Sequence, residues 1–471
     1  MEFLLDDSLL DRSAGVEPVL GCPKKESDPV LVPEMPWEMG GIVARHALLL
    51  DDGVFRLWYG AAGTEQPIPE EGERQRLLCC AESSDGIHWE RPDLGLFEYE
   101  GSRANNITGT KSDADGATWN VVKDLDDPDP ARRYKALGFD YCVTSLVEGV
   151  KPGDMGICVA YSPDGYSWTP PHMVVSTHDA TDADCMLPER DPDTGLWTLF
   201  IRPRTHPKRR FVAISTSNDF EDWTSPRMVL TPDSGDDEWT EFYGLTATCV
   251  ESLRVGCLWV YHNSPEYSPM TNELVFSRDD QRYTRALPGV PFLPLGRDGE
   301  FDSRMILPIR MIEYNGEIRL YYQGMNTEHG SDRGMKMPKG RSIPGETPVR
   351  YVGLARLPWG HFRGLRARLD GMIETRWMCN YGDSGVSAIA EVEPHGWIHA
   401  EILDQYGAAI PGFDRSSCAA TIEDDGRLRF TWRDGLIGRY GDSSVGGGTI
   451  GHVVKVRFHL HRATLFGFDM G

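Results

Sequence analysis

The sequence predicts an all-β protein, a five-bladed β-propeller followed by a C-terminal β-sandwich, and three observations carry that prediction. One skeleton, Ser-x-Asp-x-x-x-aromatic, is written four times: SSDGIHW at 83–89, SPDGYSW at 162–168, SNDFEDW at 217–223 and SRDDQRY at 277–283. A short alternating apolar segment precedes each copy: RLLCCAE, GICVAY, RFVAIST and NELVF. Helical periodicity is nearly absent over the same span, whereas period-two alternation recurs throughout it.

Each copy reads as a turn. The Asp caps its own backbone, and the trailing aromatic packs back onto the sheet. A further strand, led in by its own turn, lies before each alternating segment: DDGVFRLWYG, ARRYKALGF, DTGLWTLFI and RVGCLWVYH. Spacings of 79, 55 and 60 residues between Asp85, Asp164, Asp219 and Asp279 suit four-stranded units with variable loops. YNGEIRLYYQG at 314–324 and VRYVGLARL at 349–357 form a fifth unit without an Asp-turn, as expected if a strand from elsewhere closes the ring there. The propeller is expected over 36–362, after an N-terminal extension at 1–35. From 363 to 471 the text alternates without the repeat and reads as the sandwich.

Charge narrows the partners. With 48 basic and 72 acidic residues the chain carries −24, which opposes nucleic acid and anionic membrane surfaces. No apolar run reaches bilayer length, and the start MEFLLDDSLLDRSAG has acids where a signal peptide has basic residues. The ten cysteines are scattered, without a CxxC pair, and read as reduced thiols in a cytoplasmic protein.

The first strand of each unit is expected to line a central channel, and each unit supplies a carboxylate at a comparable height. These are Glu38 in PWEMGG, Asp113 and Asp115 in SDADGATWN, Asp182 and Asp184 in DADCMLP, Glu241 in TEFYGL, and Glu300 and Asp302 in GEFDSRM. Converging carboxylates supply the acid–carboxylate pair that glycoside hydrolysis needs. Trp37, Trp119, Phe242, Tyr243 and Phe301 add apolar surface suited to a sugar. Arg45, Arg202 and Arg304, with His46, His262 and His329, are candidates to orient a carboxylate or bind hydroxyls.

The five units, the acids on units one, three and four, and the trailing β-rich segment resemble glycoside hydrolase families 32 and 43. SSDGIHWERPDLGLFEYEGSRANNI and GEFDSRMILP…GEIRLYYQG resemble a bacterial group of family-32-like propellers. The resemblance implies a glycosidase acting on a fructofuranoside or arabinofuranoside, with Glu241 as general acid and Asp184 as its partner. Glu38 stands where family 32 has an Asn-Asp-Pro-Asn run, and Asp302 is kept as a further catalytic candidate. Trp37, Arg45, His46, Asp115, Arg202, Tyr243, Glu300, Arg304 and His329 are the expected substrate-binding set. Asp191, in the family-like RDP triplet, reads as a turn former. No cofactor is expected, although a structural calcium ion in the channel stays open because oxygen ligands abound. Two alternatives also stay open: a non-catalytic carbohydrate-binding propeller and a glycoside phosphorylase. The expected partner is an oligosaccharide or glycoside.

Overall fold

The computed structural model describes residues 1–45, 47–61, 76–112, 119–140, 156–176, 188–203, 209–329, 347–380, 386–432 and 452–470. The only helices among them are two three-residue 3-10 turns, Pro36–Glu38 and Pro130–Arg132. The chain divides into two compact units. One comprises Pro23–Ile312 with Arg319–Arg356; the other comprises Met1–Cys22, Glu313–Ile318 and Leu357–Gly471.

The first unit is a succession of antiparallel sheets. Sheet one holds Ile42–Val43, Leu48–Asp51, Val54–Ala61, Arg76–Ser83 and Ile107–Ser112. Sheet two holds Asn120–Lys123, Tyr134–Asp140, Gly156–Ser162 and His172–Ser176. Sheet three holds Pro188–Arg190, Trp197–Ile201, Val212–Ser217 and Arg227–Leu230. The remaining strands form two antiparallel groups joined by one parallel pair, Met270 with Met305. Sheet four is Thr240–Val250, Leu253–His262, Met270–Ser277 and Thr284–Arg285. Sheet five is Met305–Tyr314, Glu317–Met325, Arg350–Pro358 and Lys24–Lys25.

Apolar faces of consecutive sheets close on one another. Trp58 and Leu78 of sheet one meet Val121 and Ala136 of sheet two, and Leu137 and Val159 of sheet two meet Leu199 and Ile201 of sheet three. Phe200 and Ile214 of sheet three meet Leu245 and Leu258 of sheet four, whose Trp259 and Tyr261 meet Leu307 and Met325 of sheet five. Strands covered on both faces are written as apolar runs rather than as a clean alternation, as in GICVAYS, which is buried throughout.

All four copies of the repeated skeleton fold alike. In the third, Ser217 Oγ accepts from the Phe220 amide at 2.9 Å, and Asp219 Oδ1 accepts from the amides of Glu221 and Asp222, both at 2.9 Å. Asp85, Asp164 and Asp279 make the equivalent pair of bonds. The residue after each Asp has positive φ: 74° at Gly86, 83° at Gly165, 69° at Phe220 and 54° at Asp280. Glycine holds this position where a neighbour leaves no room, since a Cβ on Gly165 would lie 2.9 Å from the Trp58 ring.

Each turn also rests on another sheet, the last three on the sheet before their own. Trp58 of sheet one donates to Gly165 O at 2.7 Å, Arg132 beside sheet two donates to Asp219 O at 3.2 Å, and Arg227 of sheet three donates to Gln281 O at 2.6 Å. The first turn rests on sheet five, where Tyr321 Oη donates to Gly86 O at 2.9 Å. Sheet five lacks an Asp-turn and instead receives Lys24–Lys25 as its outer strand, paired with Ala355 and Arg356.

The second unit is one nine-stranded antiparallel sheet, to which three short strands of Met1–Cys22 belong. Glu2–Phe3 pairs with His452–Asp469, whereas Leu10–Ala14 and Glu17–Leu20 pair with Arg363–Thr375. These strands are two to five residues long, too short to show a period, and their partners lie more than 340 residues away. The long strands Arg363–Thr375 and Val386–Leu403 both break register opposite the stretch His461–Ala463 of His452–Asp469. There Arg462 has φ 48°. Bulges at one level bend all three strands together around a core that includes Phe430, Phe458 and Phe468.

Candidate functional site

Glu241 opens the strand Thr240–Val250. Asp237 prepares that start by accepting from the Trp239 amide at 2.8 Å and from Thr240 Oγ1 at 3.0 Å. Two residues on, the pairing with Leu253–His262 slips between Phe242 and Gly244, so Tyr243 is the extra residue of a bulge. Bulges re-aim side chains and concentrate beside functional sites. The Tyr243 ring lies 3.8 Å from the Arg202 guanidinium carbon and 5.0 Å from the His329 ring, and its hydroxyl is 2.9 Å from His329 Nε2.

The Glu241 carboxylate is fully buried. Arg210 donates to its Oε2 at 2.6 Å, and Asn263 Nδ2 donates to its Oε1 at 3.0 Å. Tyr261 Oη donates in turn to Asn263 Oδ1 at 3.0 Å, which fixes the amide with its N–H toward Glu241. Arg202, Arg210, Tyr243, Tyr261 and Asn263 are all buried, and His329 beside them is half-buried. Of the residues singled out in the sequence, Glu241, Tyr243, Arg202 and His329 come together here. Arg210, Asn263 and Tyr261 join them but escaped the sequence reading.

The other acids have networks of their own. Glu38 is also fully buried: Oε1 accepts from Tyr59 Oη and from Arg91 Nε at 2.9 Å, and Oε2 accepts from the amides of Glu34 and Met35. Trp37 belongs to the same network, donating to Asn106 Oδ1 at 3.0 Å while Asn106 donates to Tyr59 Oη at 2.8 Å. Asp302 accepts from Lys25 Nζ at 2.6 Å and from Tyr322 Oη at 3.0 Å, and Phe301 beside it stacks on Tyr322. Burial and the Asp302 charge push the Tyr322 hydroxyl well above its ordinary range. Glu300 is exposed and caps its own turn through the Arg297 amide, and half-buried Arg304 pairs with Asp298 at 3.1 Å.

Arg45 is half-buried beside Ala44, whose amide donates to Gln323 Oε1 at 2.7 Å. His262 lies 2.9 Å from Thr271 Oγ1, and burial lowers its basicity. Asp191 caps the turn at 191–194, as its sequence suggests. His46, Asp113, Asp115, Asp182 and Asp184 lie outside the described residues. Among the described residues no group of three or more His, Cys, Asp or Glu is placed to hold a metal ion.

A cavity of about 300 Å³ lies elsewhere in the first unit, lined by Leu49, Asp51, Lys123, Glu189, Trp197 and Arg310 among others. Arg310 of sheet five donates to Glu189 of sheet three at 2.6 Å and to Leu48 O of sheet one at 3.3 Å. Burial pushes the Glu189 carboxyl up, against the opposing pull of Arg310 and Arg254. Asp51 is held below the usual range: the donors Lys123 and Tyr134 outweigh its desolvation.

No protein-family description and no curated protein matches the sequence. Among solved structures, the chain is similar to the catalytic domain of the Coprinopsis cinerea GH62 α-L-arabinofuranosidase, with 13% identity and a TM-score of 0.43 over 72% of this chain and 97% of that one. It is also similar to the β-1,2-mannobiose phosphorylase from Listeria innocua (12%, TM-score 0.44, 71% and 96% covered). An N-acetylgalactosamine deacetylase from F. plautii compares at 12% and TM-score 0.45, with 74% and 97% covered. At these scores the likenesses carry no argument about the reaction, which rests on the residues.

Proposed function

We propose that the protein is a glycoside hydrolase that cleaves the glycosidic bond of a furanoside, a fructofuranoside or an arabinofuranoside, at a site centred on Glu241. The observation that carries the proposal is the buried Glu241 carboxylate at the head of a bulged strand, within a cradle of Arg210, Asn263, Tyr243, Tyr261 and His329. Oriented carboxylates, aromatic faces and guanidinium forks are the groups that bind sugar hydroxyls and stabilise the charge that develops as a glycosidic bond breaks. Asp184 is the proposed partner acid, with Glu38 and Asp302 as further candidates. The sheets are read as five blades of one propeller, supported by the relay of turns that ends with the first turn on sheet five. The bent nine-stranded sheet is read as a sandwich, supported by its aligned bulges.

One observation favours a second reading, a non-catalytic carbohydrate-binding protein: Glu38 and Glu241 are fully buried and accept hydrogen bonds at both oxygens. Aryl α-arabinofuranosides and β-fructofuranosides separate the two. The hydrolase reading expects the wild type to release the aglycone. It also expects Glu241→Gln to lose roughly 10²–10⁴-fold in rate while calorimetry shows the product sugar still bound. Sugar binding without release in the wild type would establish the second reading. Neither binding nor release would overturn both.

A further inference from the structure

Resting on the hydrolase reading, we infer that Tyr267 is a specificity-determining residue whose ring receives the leaving group, and that this leaving group is a second sugar. Tyr267 lies on the loop 263–269, which joins Leu253–His262 to Met270–Ser277 in sheet four. The loop leaves the sheet at the end where Glu241 opens its strand: Glu241 and Thr240 pair with Tyr261 and His262, the last two residues before it. Its first residue, Asn263, is the amide donor to Glu241.

The loop is pinned at both ends and closed at its tip. At the base, the His262 amide donates to Pro269 O at 3.1 Å and the Asn263 amide donates to Trp239 O at 2.9 Å. At the far end, the Ser268 amide donates to Glu328 Oε2 at 3.2 Å, and Ser268 O accepts from the His329 amide at 3.2 Å. At the tip, Ser264 Oγ accepts from the Tyr267 amide at 3.0 Å and donates to Tyr267 O at 2.6 Å. Asn263 and Ser268 are 0% exposed, whereas Tyr267 between them is 49% exposed.

A ring held this way is suited to a ligand rather than to the core. Its backbone is already fixed, so little freedom is lost when something packs on it. The ring offers an apolar face to the C–H face of a sugar, and its hydroxyl can bond a sugar hydroxyl. Position selects which sugar. The furanose whose bond breaks belongs at the buried cluster, and the departing group lies on the solvent side of that bond. A small alcohol has no ring face to pack on Tyr267; a sugar has one.

Two substrate pairs test this: sucrose with methyl β-fructofuranoside, and α-1,5-arabinobiose with methyl α-arabinofuranoside. Each pair shares its furanose and differs in the leaving group. On the pair that the wild type turns over, Tyr267→Ala is expected to raise KM for the disaccharide roughly 3–10-fold with kcat nearly unchanged. The preference for the disaccharide over the methyl furanoside should fall by the same factor, and Tyr267→Trp should restore it. An equal loss on both substrates would make Tyr267 a structural residue, and an undiminished preference would leave its ring without a ligand. Either result overturns the inference and leaves the hydrolase reading intact. A wild type that turns over neither pair would overturn the hydrolase reading and this inference with it.

Discussion

Two carboxylate–guanidinium pairs of equal length sit in different surroundings in the first unit. Arg210 meets Glu241 at 2.6 Å where a strand begins, and Arg310 meets Glu189 at 2.6 Å where a strand ends at its hairpin. The Glu241 pair is sealed, with the side chains 0% and 4% exposed, and an amide and two tyrosines lie beside it. The Glu189 pair borders a cavity, is 12% and 14% exposed, and links three sheets through one guanidinium. An ion pair is therefore not a role in itself. Arg210 and Asn263 donate to Glu241, an arrangement that would orient a carboxylate for the proposed reaction. Glu189 is a tie between strands beside space that water can enter.

The contrast can be broken most forcefully by removing the arginines. Arg210→Met leaves a sealed carboxylate without its guanidinium and should destabilise the fold by about 3–5 kcal/mol, read as a shift in the urea midpoint. Arg310→Met should have a smaller effect, about 1–3 kcal/mol, because water in the cavity can take up the freed Glu189 oxygen. If the second loss equals or exceeds the first, the distinction between sealed core and wet tie is wrong.

A finer test uses pH. Burial raises the folded value of Glu189 above its unfolded value of about 4.3. Its contribution to stability is therefore greatest below that pH and is lost as pH rises through the folded value. The stability difference between wild type and Glu189→Gln should change in that window and be flat below it. The smallest effect concerns the Asp-turns. The amides of Asp222 and Glu221 hold Asp219 below its ordinary range, so its contribution is complete above about pH 3.9 and disappears as pH falls through the lowered value. Asp219→Asn should flatten that acid limb and leave the Glu189 window untouched.

The turns were legible because each is a local object. Every bond of the Ser217–Asp222 turn closes within three residues, so its chemistry is written in consecutive letters. Even the positive-φ position can be read at Gly86 and Gly165, although Phe220 and Asp280 adopt it without glycine. The candidate site is different. Arg210 lies 31 residues from Glu241 and Asn263 lies 22 away, and no spacing rule picks them from the other arginines and asparagines. Glu38 shows the same limit. In the sequence it is an acid at the right height, whereas its character comes from Arg91, 53 residues downstream, and from two backbone amides. Counting acids finds positions; only their donors say what each acid can do.

The most direct test sets the two glutamates against each other on one furanoside substrate. Turnover of Glu241→Gln and Glu189→Gln would be measured beside the wild type, with thermal unfolding recorded for all three. The account predicts a loss on the order of 10²–10⁴-fold for Glu241→Gln, with the product sugar still bound, and turnover near the wild-type rate for Glu189→Gln. Full activity in Glu241→Gln, or a comparable loss in a well-folded Glu189→Gln, would contradict it.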